Sequence, residues 1–285
     1  MITVDENRNS NISSEHSEEL LNIIENFRLM DDTFMSKVFE DKSCAELLLR
    51  VILNRDDLTV VWVVSQFGIK NLQVRSARLD IYAVDDKGKH YDVEVQRSDD
   101  GAAPSRARYN SSLLNANLLN PGDKFDELPE SYIIFITEHD VLKGGKPLYT
   151  VNRTISELDH AIFTDGSHII YVNGEIRNGT ALGELMQDFF CKDPREMHYK
   201  VLSDRAGYFK KDKEGVDTMC KLMEDYADKR ARQAAEAAAE KAAKERSISI
   251  ATNLWNKGER DLQQIADLTD LPLDEVKKLF EGKTA

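Results

Sequence analysis

The sequence has few cysteines and no long apolar run. Its three cysteines, Cys44, Cys191 and Cys220, are scattered and odd in number, and their spacing matches no metal-binding motif. We therefore expect reduced thiols and no disulfide framework. No apolar stretch reaches the roughly 18 residues that a membrane-spanning helix needs, and the polar N-terminus has no signal-peptide pattern. These absences predict a cytosolic protein.

Positive charge is also scarce. The 285 residues include 38 basic and 51 acidic side chains, so the formal net charge is −13. Proteins that bind nucleic acid take most of their non-specific affinity from lysine and arginine. The composition therefore argues against such a partner unless positive charge is concentrated locally. The sequence also lacks a glycine-rich phosphate loop, a zinc pattern and a Ser-His-Asp arrangement.

The strongest structural signal lies in residues 78–96. Two strictly alternating runs flank the segment 85–89, which is typical of an antiparallel β-hairpin. A turn in the middle of that segment pairs Asp80 with Glu94 and Ile81 with Val93. The hairpin therefore predicts two acidic residues directly opposite each other.

Alternation divides the hairpin side chains between two faces. The apolar face contains Leu79, Ile81, Ala83, Tyr91, Val93 and Val95, and the polar face contains Asp80, Tyr82, Asp92, Glu94 and Gln96. Three carboxylates thus share one face. Either they point apart into solvent, or a divalent cation lies between them, because hard cations such as Mg²⁺ prefer oxygen ligands. The spacing alone leaves both interpretations open.

Three separated segments resemble one known family. They are LMDDTFMSKVFED, the hairpin from RLDIYAV to YDVEVQ, and RARYNSSLLNANLL. These segments, within roughly residues 30–209, resemble the recombination-promoting nuclease and transposase-like family of the PD-(D/E)XK nuclease superfamily. The resemblance implies an α/β fold whose core is a mixed sheet in αβββαβ order, as in restriction endonucleases.

The resemblance also implies a set of site residues. An aspartate on one strand and an acid-x-lysine on the next hold a catalytic metal in this superfamily, so Asp80 and Glu94 would ligate Mg²⁺ or Mn²⁺. Gln96 stands where lysine is usual, although glutamine is common there in this family, and it would share the catalysis. The aspartate of the family's first motif corresponds to Asp32, which would be a further metal ligand. Asp92 has no counterpart in the motif.

Several of these residues have a simpler structural explanation. An aspartate before an apolar helical run, such as Asp32, is ordinarily an N-cap. Arg106 and Tyr109 lie three apart on one face of the helix after the hairpin. The Arg106 guanidinium can bind a substrate phosphate or brace Glu94, since its fork matches both groups. The alternative is an ordinary surface arginine.

Periodicity and chain breakers give the secondary structure independently. They predict a helix starting at Ser17, a helix with Phe34 inward, a helix from Ser43 to Leu53, a buried strand at 58–64, the hairpin, a helix at 104–119 and a strand at 132–136. Two more strands at 147–151 and 168–172 and helices at 181–190 and 197–209 follow. From the helix at 43–53 to the strand at 132–136, this order is αβββαβ.

The chain is predicted to have four parts. Residues 1–14 form a disordered tail, 15–213 the nuclease-like domain, 214–247 a charged, alanine-rich helical spacer, and 248–285 a small helical extension. The extension resembles the helix-turn-helix tails of this family, with helices starting at Asp261 and Pro272 and Lys277 and Lys278 exposed. From residue 248 onward, five basic residues meet seven acidic ones. This balance suits a homodimer or partner contact at least as well as DNA.

The sequence therefore predicts a Mg²⁺-dependent DNA endonuclease of the recombination-promoting type. Asp80, Glu94 and Gln96 would be catalytic, and Arg106 and Tyr109 would bind substrate. The alternative is a catalytically inert DNA-binding or protein-interaction module that keeps the nuclease fold. The acidic composition and the glutamine at position 96 favour the alternative, whereas the two opposed acids favour the enzyme.

Overall fold

The fold is described from a computed structural model, which covers residues 18–69 and 76–281. The predicted disordered tail, residues 1–14, lies outside the described residues. The helices are α1 (18–26), α2 (Asp32–Val38), α3 (Lys42–Leu53), α4 (Pro104–Ala116), α5 (Ala181–Phe190), α6 (Lys200–Lys211), α7 (Lys213–Asn256), α8 (Leu262–Thr269) and α9 (Leu273–Phe280). The strands are β1 (Val60–Ile69), β2 (Ala77–Asp85), β3 (His90–Gln96), β4 (Ser131–Thr137), β5 (Leu148–Val151), β6 (Thr154–Ile155), β7 (Ala161–Ile162) and β8 (Ser167–Asn173).

A mixed six-stranded sheet organises the first part of the chain. Its strand order is β1-β2-β3-β4-β8-β5. The pairs β1–β2 and β2–β3 are antiparallel, β3, β4 and β8 run parallel to one another, and β5 pairs antiparallel with β8. The chain order from α3 to β4 is helix, three strands, helix, strand, which confirms the predicted αβββαβ core and the α/β fold class.

The hairpin turn is fixed by the side chain of Asp85. Its Oδ1 accepts hydrogen bonds from the backbone N–H groups of Lys87 (2.9 Å) and Lys89 (2.8 Å), and its Oδ2 accepts from the Tyr91 hydroxyl. Gly88 takes a positive φ of 72°, which glycine adopts without steric cost. The turn residues therefore set the register of β2 against β3.

The first strand is not the fully buried strand that the sequence predicted. It occupies the edge of the sheet, and Val61 and Trp62 are 50% and 44% exposed. A nearly continuous apolar run is typical of a strand covered on both faces, but an edge strand leaves part of such a run in contact with solvent. The run also continues as a strand to Ile69.

The predicted apolar face of the hairpin holds except at its first residue. Ile81, Ala83, Tyr91, Val93 and Val95 are buried. Leu79, however, packs in a cluster with Tyr82 of the opposite face and with Phe135. Gln66 of the neighbouring strand β1, whose φ is +54°, lies between the ladder pairs Ser65↔Ile81 and Phe67↔Leu79.

Two helix starts differ from the sequence predictions. Helix α3 begins at Lys42, one residue before the predicted start at Ser43, because the carboxylate of Asp41 caps it by accepting from the N–H groups of Ser43 and Cys44. Helix α2 begins at Asp32, and Asp31 stands at its N-cap position without a side-chain bond to the helix. Asp32 is therefore not an N-cap. Pro104 does open α4 as predicted.

The contacts divide the chain into two compact units, with the boundary between Lys221 and Leu222 inside α7. In the second unit, the end of α7 packs with α8 and α9 around a cluster that includes Trp255, Ile265 and Phe280. Asp261 caps α8 and Pro272 precedes α9, as predicted. Residues 223–246 of α7 are almost entirely exposed, as expected for an alanine-rich charged helix.

Across the described ranges, no helix is long and apolar enough to cross a membrane.

Candidate active site

The hairpin brings its acidic residues together in the predicted register. Ile81 pairs with Val93 and Tyr82 pairs with Asp92 across β2 and β3. One step further along both strands, Asp80 lies beside Glu94. The side chain of Asp80 also binds β3, because its Oδ2 accepts a hydrogen bond from the backbone N–H of Val95 at 3.1 Å.

The acidic face is buried. Asp92 and Glu94 are 0% exposed and Asp80 is 9% exposed. Helix α4 contacts this face through Arg106 and Asn110. The interpretation of the three carboxylates as a hydrated surface is therefore wrong, since no carboxylate of the group points freely into solvent.

Glu94 is held by two donors on one of its oxygens. The Arg106 Nη2 lies 2.5 Å from Glu94 Oε2, and the Gln96 Nε2 lies 3.2 Å from the same atom. The other oxygen, Oε1, is buried and has no hydrogen-bond partner among the described residues. A buried carboxylate oxygen without a partner is costly, so Glu94 Oε1 is able to accept a further donor or a cation.

Gln96 connects the two acids of the hairpin to α4. Its Nε2 is also 3.4 Å from Asp80 Oδ2, and its Oε1 accepts from Arg106 Nη1 at 3.3 Å. Arg106 Nη1 in turn donates to the carbonyl of Gly101 at 2.9 Å. Gly101 also leaves room for the amide, since a Cβ at that position would collide with Gln96 Oε1. The amide orientation is thus fixed by both neighbours.

Burial dominates the electrostatics of the cluster. It raises the pKa of Glu94 to about 8, with a further increase from the Asp80 charge and an opposing effect of Arg106. It raises the pKa of Asp80 to about 6, and it raises the pKa of Asp92 well above the ordinary range, with the charges of Glu94 and Asp80 adding to it. Three carboxyl groups in one buried site cannot all ionise unless positive charge enters.

Asp32 lies close enough to this group to act on it. Its charge raises the pKa of Asp80, and its own pKa is raised by burial and lowered by Arg78. The N-terminus of α2 is fixed by the preceding residue, Asp31, whose Oδ1 accepts from Arg97 Nη1 at 2.9 Å. Arg97 directly follows Gln96, so this ion pair ties α2 to the end of β3.

Two residues near the acids were not predicted. Asn110 donates from Nδ2 to Asp92 Oδ2 at 3.4 Å, while Asp92 Oδ1 is buried without a partner among the described residues. Arg78 lowers the pKa of both Asp80 and Asp32. Both were accessible from spacing, because Asn110 lies one helical turn after Arg106 and Arg78 lies two residues before Asp80 on the same strand.

Tyr109 takes a different environment from Arg106. It is half-buried and packs against the apolar cluster that contains Leu79 and Tyr82. A substrate-binding role for Tyr109 stays a prediction.

The donor set fits a divalent cation in part. Within residues 18–69 and 76–281, no group of three or more His, Cys, Asp or Glu side chains is arranged to hold a metal ion. Asp80 and Glu94 nevertheless offer two adjacent carboxylates, and Glu94 Oε1 is a buried oxygen without a partner. Mg²⁺ is typically held by one or two carboxylates, with water and substrate phosphate completing its shell. Two acids are therefore sufficient for this kind of site.

Comparison with known proteins finds a family model that matches a segment of the chain. Residues 48–180 match the family model described as PD-(D/E)XK nuclease family transposase, and the mixed sheet with its helices is consistent with that fold. No curated protein and no solved structure shows a significant match to the chain. The matched segment contains the hairpin and α4, which are the two elements that form the acidic cluster.

Proposed function

We propose, from the premise that residues 48–180 belong to the PD-(D/E)XK nuclease family of transposases, that the chain is a metal-dependent DNA endonuclease. The observation that carries the proposal is the buried pair Asp80 and Glu94, with an unpartnered oxygen on Glu94. Uncompensated buried carboxylates destabilise a fold, and such groups cluster at functional sites.

In this proposal Asp80 and Glu94 hold Mg²⁺ or Mn²⁺, and Asp32 adds a ligand or holds a second ion. A bound divalent cation supplies positive charge that stabilises the developing charge on a phosphate and makes water a stronger nucleophile. The protein supplies the arrangement around it. Val95 N–H fixes the Asp80 carboxylate, and burial excludes competing water from Glu94.

Gln96 takes a positioning and hydrogen-bonding role. A glutamine amide carries no charge and does not act as a proton carrier at neutral pH. Its Nε2 is directed at the two carboxylates, where it can orient the attacking water or a phosphate oxygen. The proton released by the attacking water passes to solvent or to a second water.

The test is nicking of supercoiled plasmid by wild type and by Asp80→Ala, each with Mg²⁺, Mn²⁺ or a chelator. We expect cleavage by wild type with either metal, loss of cleavage with chelator and loss in the variant. Equal activity of both proteins would show a contaminating nuclease and would remove the support for Asp80.

One observation favours a second candidate function. Glu94 already has a positive partner in Arg106, at 2.5 Å, so the acids can be read as part of an inert module that binds DNA or a protein. The two candidates differ in their response to metal. Mg²⁺ or Mn²⁺ raises the melting temperature of a protein with an intact site, because it binds only the folded state, and leaves that of an inert module unchanged.

A further inference from the structure

The Arg106 side chain lies between solvent and the buried carboxylate of Glu94. The Arg106 side chain is 38% exposed and the Glu94 side chain is 0% exposed. The guanidinium uses Nη2 for Glu94 and Nη1 for the Gly101 carbonyl and Gln96 Oε1. In this arrangement Arg106 covers the oxygen of Glu94 that is nearer to Gln96.

A guanidinium and a divalent cation both depend on the negative charge of Glu94. A cation bound at Oε1, the oxygen without a partner among the described residues, would neutralise the charge that holds Arg106 on Oε2 and would lie close to a second positive charge in a buried site. Metal ligation by Glu94 therefore weakens the bond of Arg106 to Oε2. The partly exposed position of Arg106 allows this, because its released N–H groups reach water and are not left buried without partners.

A released Arg106 guanidinium can bind a phosphate of the DNA. Its planar fork matches a phosphate as well as a carboxylate, and α4 holds Arg106 directly beside the acids. A phosphodiester that approaches Asp80 and Glu94 therefore comes within reach of the side chain whose bond to Glu94 the cation weakens.

We propose that Arg106 is an exchangeable ligand that couples metal binding to DNA binding. It donates a hydrogen bond to Glu94 in the metal-free protein and moves to a substrate phosphate when a divalent cation occupies the acids. This inference rests on the proposed function and adds a specific consequence to it. Because coupling is reciprocal, DNA tightens metal binding by the same factor by which metal tightens DNA binding.

The coupling also gives a reason for the glutamine at position 96. A lysine there would place a second cation on Glu94 beside Arg106. The amide of Gln96 instead accepts a hydrogen bond from Arg106 through Oε1 and donates through Nε2 to the carboxylates. It therefore stabilises the cluster while Arg106 is in place and remains as a donor when Arg106 leaves.

The first test observes the guanidinium directly. Arginine side-chain NH signals of the full chain are recorded by ¹⁵N NMR in the metal-free state, with Mg²⁺, and with Mg²⁺ plus a short phosphorothioate DNA duplex that resists cleavage. The Arg106 signal is assigned by its loss in Arg106→Lys. We expect slow rotation and exchange in the metal-free state, fast rotation with Mg²⁺ alone, and slow rotation again with DNA.

The second test measures the coupling factor by calorimetry. The affinity for Mg²⁺ is determined with and without the phosphorothioate duplex for wild type, Arg106→Gln and Arg108→Gln. Arg108 is an exposed arginine on the same helix and is the matched control. We expect the factor by which DNA tightens Mg²⁺ binding to fall about ten-fold in Arg106→Gln, as for the loss of one charge-assisted contact, and to stay unchanged in Arg108→Gln.

The outcomes separate this inference from the proposed function. If Mg²⁺ binds and Arg106 stays locked on Glu94, or if all three proteins show the same coupling factor, the exchange is wrong and the metal site stands. If Mg²⁺ binds none of the proteins, both the exchange and the metal-dependent nuclease are wrong.

Discussion

Glu94→Gln should stabilise the metal-free protein, and the gain should grow with pH. Burial raises the pKa of Glu94 from its ordinary value of 4.5 to about 8. A carboxyl group with a raised pKa binds its proton more tightly in the folded state than in the unfolded state. Its contribution to stability is therefore complete below pH 4.5 and is lost as the pH rises to 8.

The structure sets the size of this effect. The pKa difference is about 3.5 units, and each unit corresponds to about 1.4 kcal/mol, so the loss between pH 4.5 and 8 amounts to at most about 5 kcal/mol. Asp80 shares the site, so part of the change belongs to the pair. Glutamine has nearly the same shape and does not ionise. We therefore expect Glu94→Gln to gain between about 2 and 4 kcal/mol over wild type on going from pH 5 to pH 9.

Urea unfolding at pH 5, 7 and 9, with chelator and a reductant present, measures this difference. Glu157→Gln is the matched control, because Glu157 is exposed in the structure, and it should show no trend with pH. If the free-energy difference between Glu94→Gln and wild type is the same at all three pH values, burial of Glu94 does not have the cost that the structure indicates.

Two further predictions concern the acidic site, and a third concerns the C-terminal unit. Gly101→Ala forces the Gln96 amide to turn, so plasmid nicking should fall about ten- to a hundred-fold. The urea concentration at the unfolding midpoint should not change. Normal nicking would show that the amide orientation is unimportant. Mg²⁺ at a hundred times its Kd should stabilise wild type by about 2.7 kcal/mol and Asp80→Ala by nothing; equal stabilisation would place the ion elsewhere. The ring of Trp255 stacks on Phe280 at a centroid distance of 4.4 Å, so Trp255→Ala should lower the free energy of unfolding by about 3–5 kcal/mol. Hydrogen exchange should then rise in residues 248–281 and not in the hairpin. A uniform rise would contradict the division into two units.

The hairpin was predictable because its signals are local. Strict alternation on both sides of a short polar segment fixes which residues face each other, and the pairs Ile81↔Val93 and Tyr82↔Asp92 follow that register. The edge position of β1 was not predictable, because an apolar run gives no information on whether a further strand will cover it. The positive φ of Gln66 was not predictable either, because it leaves no pattern in the sequence.

The sequence predicted which residues lie near the site but not which of them bind each other. Spacing put Arg106 on the helix after the hairpin but left two ligands open, the carboxylate of Glu94 and a substrate phosphate. In the structure its partner is Glu94. Burial of the acids depends on how α4 docks on the sheet, which the spacing within either element does not encode. Asp32 illustrates the same limit, because its neighbour Asp31 and not Asp32 occupies the cap position.

The measurement that tests the central claim most directly is plasmid nicking by Glu94→Gln in Mg²⁺. At neutral pH this variant should be at least as stable as wild type, so a loss of activity cannot be attributed to unfolding. We expect nicking by wild type to depend on Mg²⁺ and nicking by the variant to be absent. Nicking by the variant at the wild-type rate would contradict the assignment of the buried acid pair as the catalytic centre.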